Sequence, residues 1–178
     1  MRKIVLTFGL IAGAILSAMM LITLPFHDQI GFDKGAIVGY TTMVLAFRMV
    51  FFGVRSYRDN VAGGSLTFGR AFVVGLLITV VATACYVATW EVVYPKLAPD
   101  YLDKYAAYSI EKTRASGATD AQIAEQTKKM NELKEMYRNP LVNIALTFLE
   151  PLPVGILFTL ITAVALSRKR RVHGAAIA

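Results

Sequence analysis

Two charged side chains fall inside apolar stretches of this chain, Arg48 and Glu150, and they are the residues whose type and setting could do chemistry. An ionised group at the centre of a membrane helix costs on the order of 2.5 to 3.5 kcal/mol, so it is kept where it has a partner or a polar cavity. Counted from Ala36 and Leu141 at about 1.5 Å per residue, Arg48 lies about 18 Å and Glu150 about 14 Å along helices that run the same way. Their depths match, which predicts an Arg48 to Glu150 ion pair, each charge offsetting the other's desolvation. The alternative is an Arg48 that snorkels toward the side of Arg55, with Glu150 protonated or facing a water pocket.

Glu150 opens the run Glu150-Pro151-Leu152-Pro153. Each proline lacks the N–H that a helix needs and crowds the carbonyl four residues earlier, so Pro151 and Pro153 predict a kink or break. Carbonyls freed in this way can line a solute or ion site, but a packing kink needs no ligand. The other reactive types are sparse. Cys85 is the single cysteine and lies in an apolar run, and His27 and His173 are far apart in sequence. No nucleophile and base grouping, no metal-ligand spacing and no phosphate-binding glycine loop occurs, and Gly63-Gly64 reads as a flexible turn. A catalytic site, a cofactor and a metal are therefore not expected.

The elements that carry these residues follow from composition. The 178 residues are 56% hydrophobic and 17% charged, with a mean hydropathy of +0.53, a balance that suits lipid better than water. A bilayer core needs about 20 apolar residues in helical form, because no water is there to pair the amides. Four segments meet that demand: Ile4 to Leu24, Ala36 to Val54, Ala71 to Val93 and Leu141 to Leu166. Met1-Arg2-Lys3 before an apolar run could also open a secretory signal, but the run is long and lacks a small-x-small cleavage site. The expected fold is all-α and integral to the membrane, with four transmembrane helices.

The net charge of +7 could suggest nucleic acid, yet the basic residues mostly flank the apolar runs, so nucleic-acid binding is not expected. Arg2 and Lys3, then Arg55, Arg58 and Arg70, then Arg168, Lys169, Arg170 and Arg171 all fall on segments of one side, which the positive-inside rule places in the cytoplasm. Both termini are thus expected inside, and the basic run after the fourth span is expected to anchor it and to meet anionic lipid. Residues 95 to 139 then lie outside. Their eight basic residues blur the count, but they are diluted among seven acids.

This outer insert is expected to form a helical hairpin between the third and fourth spans. One helix starts near Pro99-Asp100 and ends near Ser116-Gly117, where glycine allows a left-handed turn. Thr119 with Gln122 has capping-box spacing and opens the second. On that helix Ile123, Met130 and Tyr137 recur at sevens and make one apolar stripe, either packed within the hairpin or serving as a docking surface for a partner. Trp90, Tyr94 and Tyr101 cluster where headgroup-level rings are expected, with Glu91 as an interfacial acid. Gly9, Gly13 and Ser17, and likewise Gly75, Thr79 and Thr83, form small-residue stripes for close helix packing or for dimerisation.

Several stretches resemble a known family. They include Val50-Phe51-Phe52-Gly53-Val54-Arg55-Ser56-Tyr57-Arg58-Asp59-Asn60, Leu66-Thr67-Phe68-Gly69-Arg70-Ala71 and Gly75-Leu76-Leu77-Ile78-Thr79. Ala98-Pro99-Asp100, Ala115-Ser116-Gly117-Ala118, Asn139-Pro140-Leu141 and Glu150 followed by Pro153-Val154-Gly155 continue in the same order. Together they are similar to the bacterial family catalogued as domain of unknown function 4199. The resemblance implies a bacterial inner-membrane protein with four helices and an extracytoplasmic insert, and it supplies no catalytic residues; Arg48 is outside its pattern. The functional expectation is a non-enzymatic membrane protein acting through assembly or partner contacts, with membrane lipid around it and a homo-oligomer or another membrane protein as partner. The alternative is a small channel or transporter component that uses the broken fourth helix and the two intramembrane charges.

Overall fold

A computed structural model describes residues 1–167; the Arg168 to Arg171 run lies outside the described residues. Within them every regular element is helical, as long apolar runs free of internal turn signals require when their amides must pair within one segment. Helix α1 spans Arg2–Thr23, and a 3-10 turn at Leu24–Phe26, set by Pro25, leads into α2, His27–Asn60. Helix α3 spans Phe68–Leu97 and starts at Thr67, whose side chain accepts from the Arg70 amide. It runs on through Pro95, near its end, past the apolar limit at Val93.

The charged stretch that follows forms α4, Tyr101–Ala115, and α5, Asp120–Tyr137, packed against each other. Gly117, at φ 80°, supplies the left-handed residue of the turn between them. Thr119 and Gln122 complete a reciprocal capping box at the start of α5. Helix α6, Pro140–Leu149, and helix α7, Leu152–Leu166, share one apolar run divided at Glu150 and Pro151. Both dividing residues keep right-handed helical dihedrals, so the chain is interrupted by missing N–H donors and not by an unwound loop.

Helices α2 and α3 meet each other, and both meet α1 and α7. The interfaces are close because glycines allow it. A Cβ built on Gly9 would stand 2.6 Å from Val81 Cβ, and one on Gly75 would stand 2.9 Å from Thr159 Cγ2. The stripe of Gly9 and Gly13 is thus occupied by α3 of the same chain, which removes it as a free dimerisation face. Thr79 hydroxyl donates to the Gly155 carbonyl at 3.3 Å and lies 3.2 Å from the Thr159 hydroxyl, which ties α3 to α7.

The exterior of the bundle is as apolar as its core. Thr79, Thr83, Thr159 and Thr162 are buried, whereas Leu10, Ile37, Leu45, Leu157, Ile161 and Val164 are exposed. An apolar exterior of this extent requires a non-aqueous surrounding. Three helical stretches are long and apolar enough to cross a membrane: Arg2–Asn60, which contains α1, the turn and α2, then Phe68–Leu97, then Pro140–Leu166.

Candidate functional site

Glu150 and Arg48 are not brought together. On α2 the buried residues Met43, Ala46, Phe47, Val50 and Val54 define one face, and Arg48, a step of about 100° from Phe47, falls outside it. Arg48 is exposed beside Val44, Leu45 and Phe52, with no ion pair among the described residues. A guanidinium on that face can reach headgroups only by extending its stem along the helix. Glu150 has a different partner: the Tyr86 hydroxyl of α3 donates to its Oε2 at 2.9 Å. The pair expected from matched depth is thus replaced by a tyrosine to carboxylate bond, because depth fixes only one of the two coordinates of a helical position.

Glu150 is crowded by protein on most sides yet keeps accessible surface, as a side chain does when that surface faces a cavity. The cavity holds about 570 Å³. Met19, Met20 and Met43 give it an apolar side from α1 and α2, and Tyr86, Trp90, Tyr101 and Tyr105 give it an aromatic one from α3 and α4. Glu150 contributes the carboxylate.

The aromatic side is a connected structure. Phe32 is its hub, with ring centroids 4.6 Å from His27, 5.7 Å from Tyr101, 5.3 Å from Tyr105 and 5.0 Å from Tyr108. Tyr101 passes the contact to Trp90 at 5.1 Å, and Trp90 to Tyr94 at 5.4 Å. Most of these pairs are edge to face, the arrangement that aromatic quadrupoles favour. Gly31 makes the hub by breaking the first turn of α2, at φ 73° and ψ 163°, so that Phe32 points at α4.

Two ion pairs fasten α4 over this end of the bundle. Lys104 Nζ lies 2.9 Å from Asp28 Oδ2, and Lys112 Nζ lies 2.6 Å from Asp33 Oδ1. Hydrogen bonds to Asp28 and then Asp100 hold the Lys104 ammonium above its ordinary range, and Asp33 followed by Tyr108 does the same for Lys112. A raised lysine value means that the ammonium of each fastener is kept through neutral pH and is lost only in alkali. Burial, and next the nearby Glu150 charge, push the Tyr101 phenol up to about 12. That phenol therefore remains a neutral donor.

The stripe of Ile123, Met130 and Tyr137 does not stand free. All three are half-buried as α5 lies against α4, with Gln126 donating to Ser109 at 2.7 Å and Lys134 paired with Asp103. Tyr137 also meets Tyr94 at 5.7 Å, joining α5 to the end of α3. Glu91 sits at the same end with one carboxylate oxygen buried and unpartnered, as is Trp90 Nε1. The helix is interrupted at Glu150 and Pro151, and Pro153 lies at the second position of α7.

Tyr86 and Phe32 were missed by sequence reasoning, and a signal exists for Tyr86. Tyr86, Trp90 and Tyr94 recur at fours, and Tyr101, Tyr105 and Tyr108 at four and three, so each set lines one helical face. Two facing aromatic stripes next to an intramembrane acid mark this cavity. Among the described residues no group of three His, Cys, Asp or Glu side chains is placed to hold a metal ion.

Buried threonines, an apolar exterior and membrane-length helices define the class as an all-helical membrane protein. The chain belongs to the family described as Protein of unknown function (DUF4199), whose model matches residues 7–168. No curated protein and no solved structure matches it.

Proposed function

We propose that this is a non-enzymatic membrane protein that binds a small amphiphilic molecule in the cavity between α1, α2, α3 and α4. The observation that carries the reading is the cavity itself: about 570 Å³, with methionines and Leu16 from α1 and α2, an aromatic wall from α3 and α4, and polar groups that include His27, Asp33, Lys112 and Glu150. Volumes of this order hold small ligands, and mostly apolar walls with a few placed polar groups are what such sites use. The assembly reading loses one of its supports, since the stripe on α5 is half-buried as α5 packs on α4. A solute-handling role keeps its support, because Glu150 at the proline break lines the cavity.

In this reading the chain crosses the bacterial inner membrane four times, with both termini in the cytoplasm and residues 95 to 139 outside. Support comes from the packing of α1 on α2 across the turn at Leu24–Phe26, which interrupts the 59-residue stretch. It also comes from the side on which Arg55, Arg58 and Arg70 accumulate. Reporters active only in the cytoplasm should work when fused at either terminus and fail when inserted at Gly117. Activity at Gly117 would overturn this topology.

Ligand binding is read by Trp90, the single tryptophan, which lines the cavity. Protein in lipid nanodiscs is titrated with hexanol, hexylamine, hexyltrimethylammonium, hexanoate and hexyl glucoside. At least one should shift Trp90 emission saturably. Gly39→Leu, which adds a side chain where nothing lies within 4 Å and fills the cavity, should abolish the shift. No saturable shift with any of them, or a shift that survives Gly39→Leu, would remove the binding reading.

A further inference from the structure

We infer that the ligand is an organic cation, an alkylammonium or quaternary ammonium head carried on an apolar body, with Glu150 as its counter-ion. This rests on the cavity being a binding site and names what it selects. Two observations converge on a positive charge.

Glu150 is the unbalanced charge of the cavity. Its described partner is a neutral hydroxyl, Tyr86, whereas the other acid there, Asp33, is already matched by Lys112 at 2.6 Å. A carboxylate set among rings and methionines with no cation beside it is one that a ligand charge would complete. The walls suit that charge as well. Tyr86, Trp90 and Tyr101 present aromatic rings near the carboxylate, and ring faces attract ammonium groups, indole most strongly. On the same wall the Lys112 ammonium donates to the Tyr108 hydroxyl at 3.0 Å, so phenol oxygens there also accept from a cation.

A metal cation is the wrong occupant. Hard divalent ions take six or more oxygen ligands, and one carboxylate among rings cannot provide them. An anion would face Glu150 directly, and a neutral amphiphile would leave the carboxylate unmatched. The ammonium could arrive on a free solute or on the headgroup of an aminophospholipid; the recognition chemistry is shared.

The nanodisc titration separates these cases. Hexyltrimethylammonium and hexylamine should bind at least about tenfold more tightly than hexanol, and hexanoate should not bind. Glu150→Gln keeps the shape and the Tyr86 partner and should weaken the two cations about tenfold while leaving hexanol unchanged. Should that variant fail to fold, the cation to hexanol ratio in the unaltered protein still decides. A ratio near one, or cation affinity unaffected by Glu150→Gln, overturns the cation inference while hexanol binding preserves the cavity reading; no binding by any member defeats both. Discs of phosphatidylglycerol alone, compared with discs containing phosphatidylethanolamine, identify the source. Competition by the latter lipid assigns a headgroup, and unchanged affinity assigns a free solute.

Discussion

Gly155→Leu should destabilise the bundle by about 3 kcal/mol, the upper end of what overpacking a filled interface costs. Gly155 lies where α7 crosses α3 and α2. A Cβ there would overlap Thr79 Cγ2 and stand 3.0 Å from the Phe47 ring. Neither neighbour can yield, because Thr79 is bonded to Thr159 and to the Gly155 carbonyl, and Phe47 is fully buried. In a membrane, helix association depends on such close contact more than on expelling water, so the loss is not repaid by the added leucine surface. Thermal unfolding followed by helical circular dichroism should show a midpoint lower by on the order of 10 °C. Gly39→Leu, set in open space, should move the midpoint by less than about 2 °C. Equal shifts for the two variants would show that α7 is not held by this contact.

Legibility differed between parts of the molecule for physical reasons. Helix identity could be read because amides in lipid have no other partner, and the interruption at Pro151 because a missing donor is a local property. The turn at Gly117 and the cap at Thr119 are equally local, and the structure has both. Pairing across helices is not local. Arg48 and Glu150 have matching depth but lie at different rotations about their axes, and rotation is set by which face packs. That face was partly readable: Met43, Phe47, Val50 and Val54 follow helical spacing, and Arg48 breaks it. The stripe of Ile123, Met130 and Tyr137 was seen correctly as a face, but only the position of α4 shows what covers it. The cavity needed three dimensions. Its lining comes from four helices, a turn and the break at Glu150, brought together by a bend at Gly31 that gives no signal in hydropathy.

That bend makes the second strong prediction. Gly31 holds φ 73° and ψ 163°, a region that only glycine enters without strain. Nothing lies within 4 Å of where its Cβ would be, so crowding is not the issue; the backbone dihedral alone opposes a side chain. Gly31→Ala should therefore cost about 1 to 3 kcal/mol, or else straighten the first turn of α2. Straightening would swing Phe32 away from His27, Tyr101, Tyr105 and Tyr108 together, since one residue serves all four contacts. Tyr101 would lose support against Trp90, and Trp90 emission should move to longer wavelength as water enters. Gly35→Ala is the matched comparison. It lies one turn further along α2, also in open space but without a positive φ, so alanine should stabilise the helix by up to about 1 kcal/mol. Opposite signs for two glycine to alanine changes four residues apart can arise only from the backbone conformation at Gly31. If both variants stabilise and Trp90 emission is unchanged, the bend does not hold the aromatic wall in place.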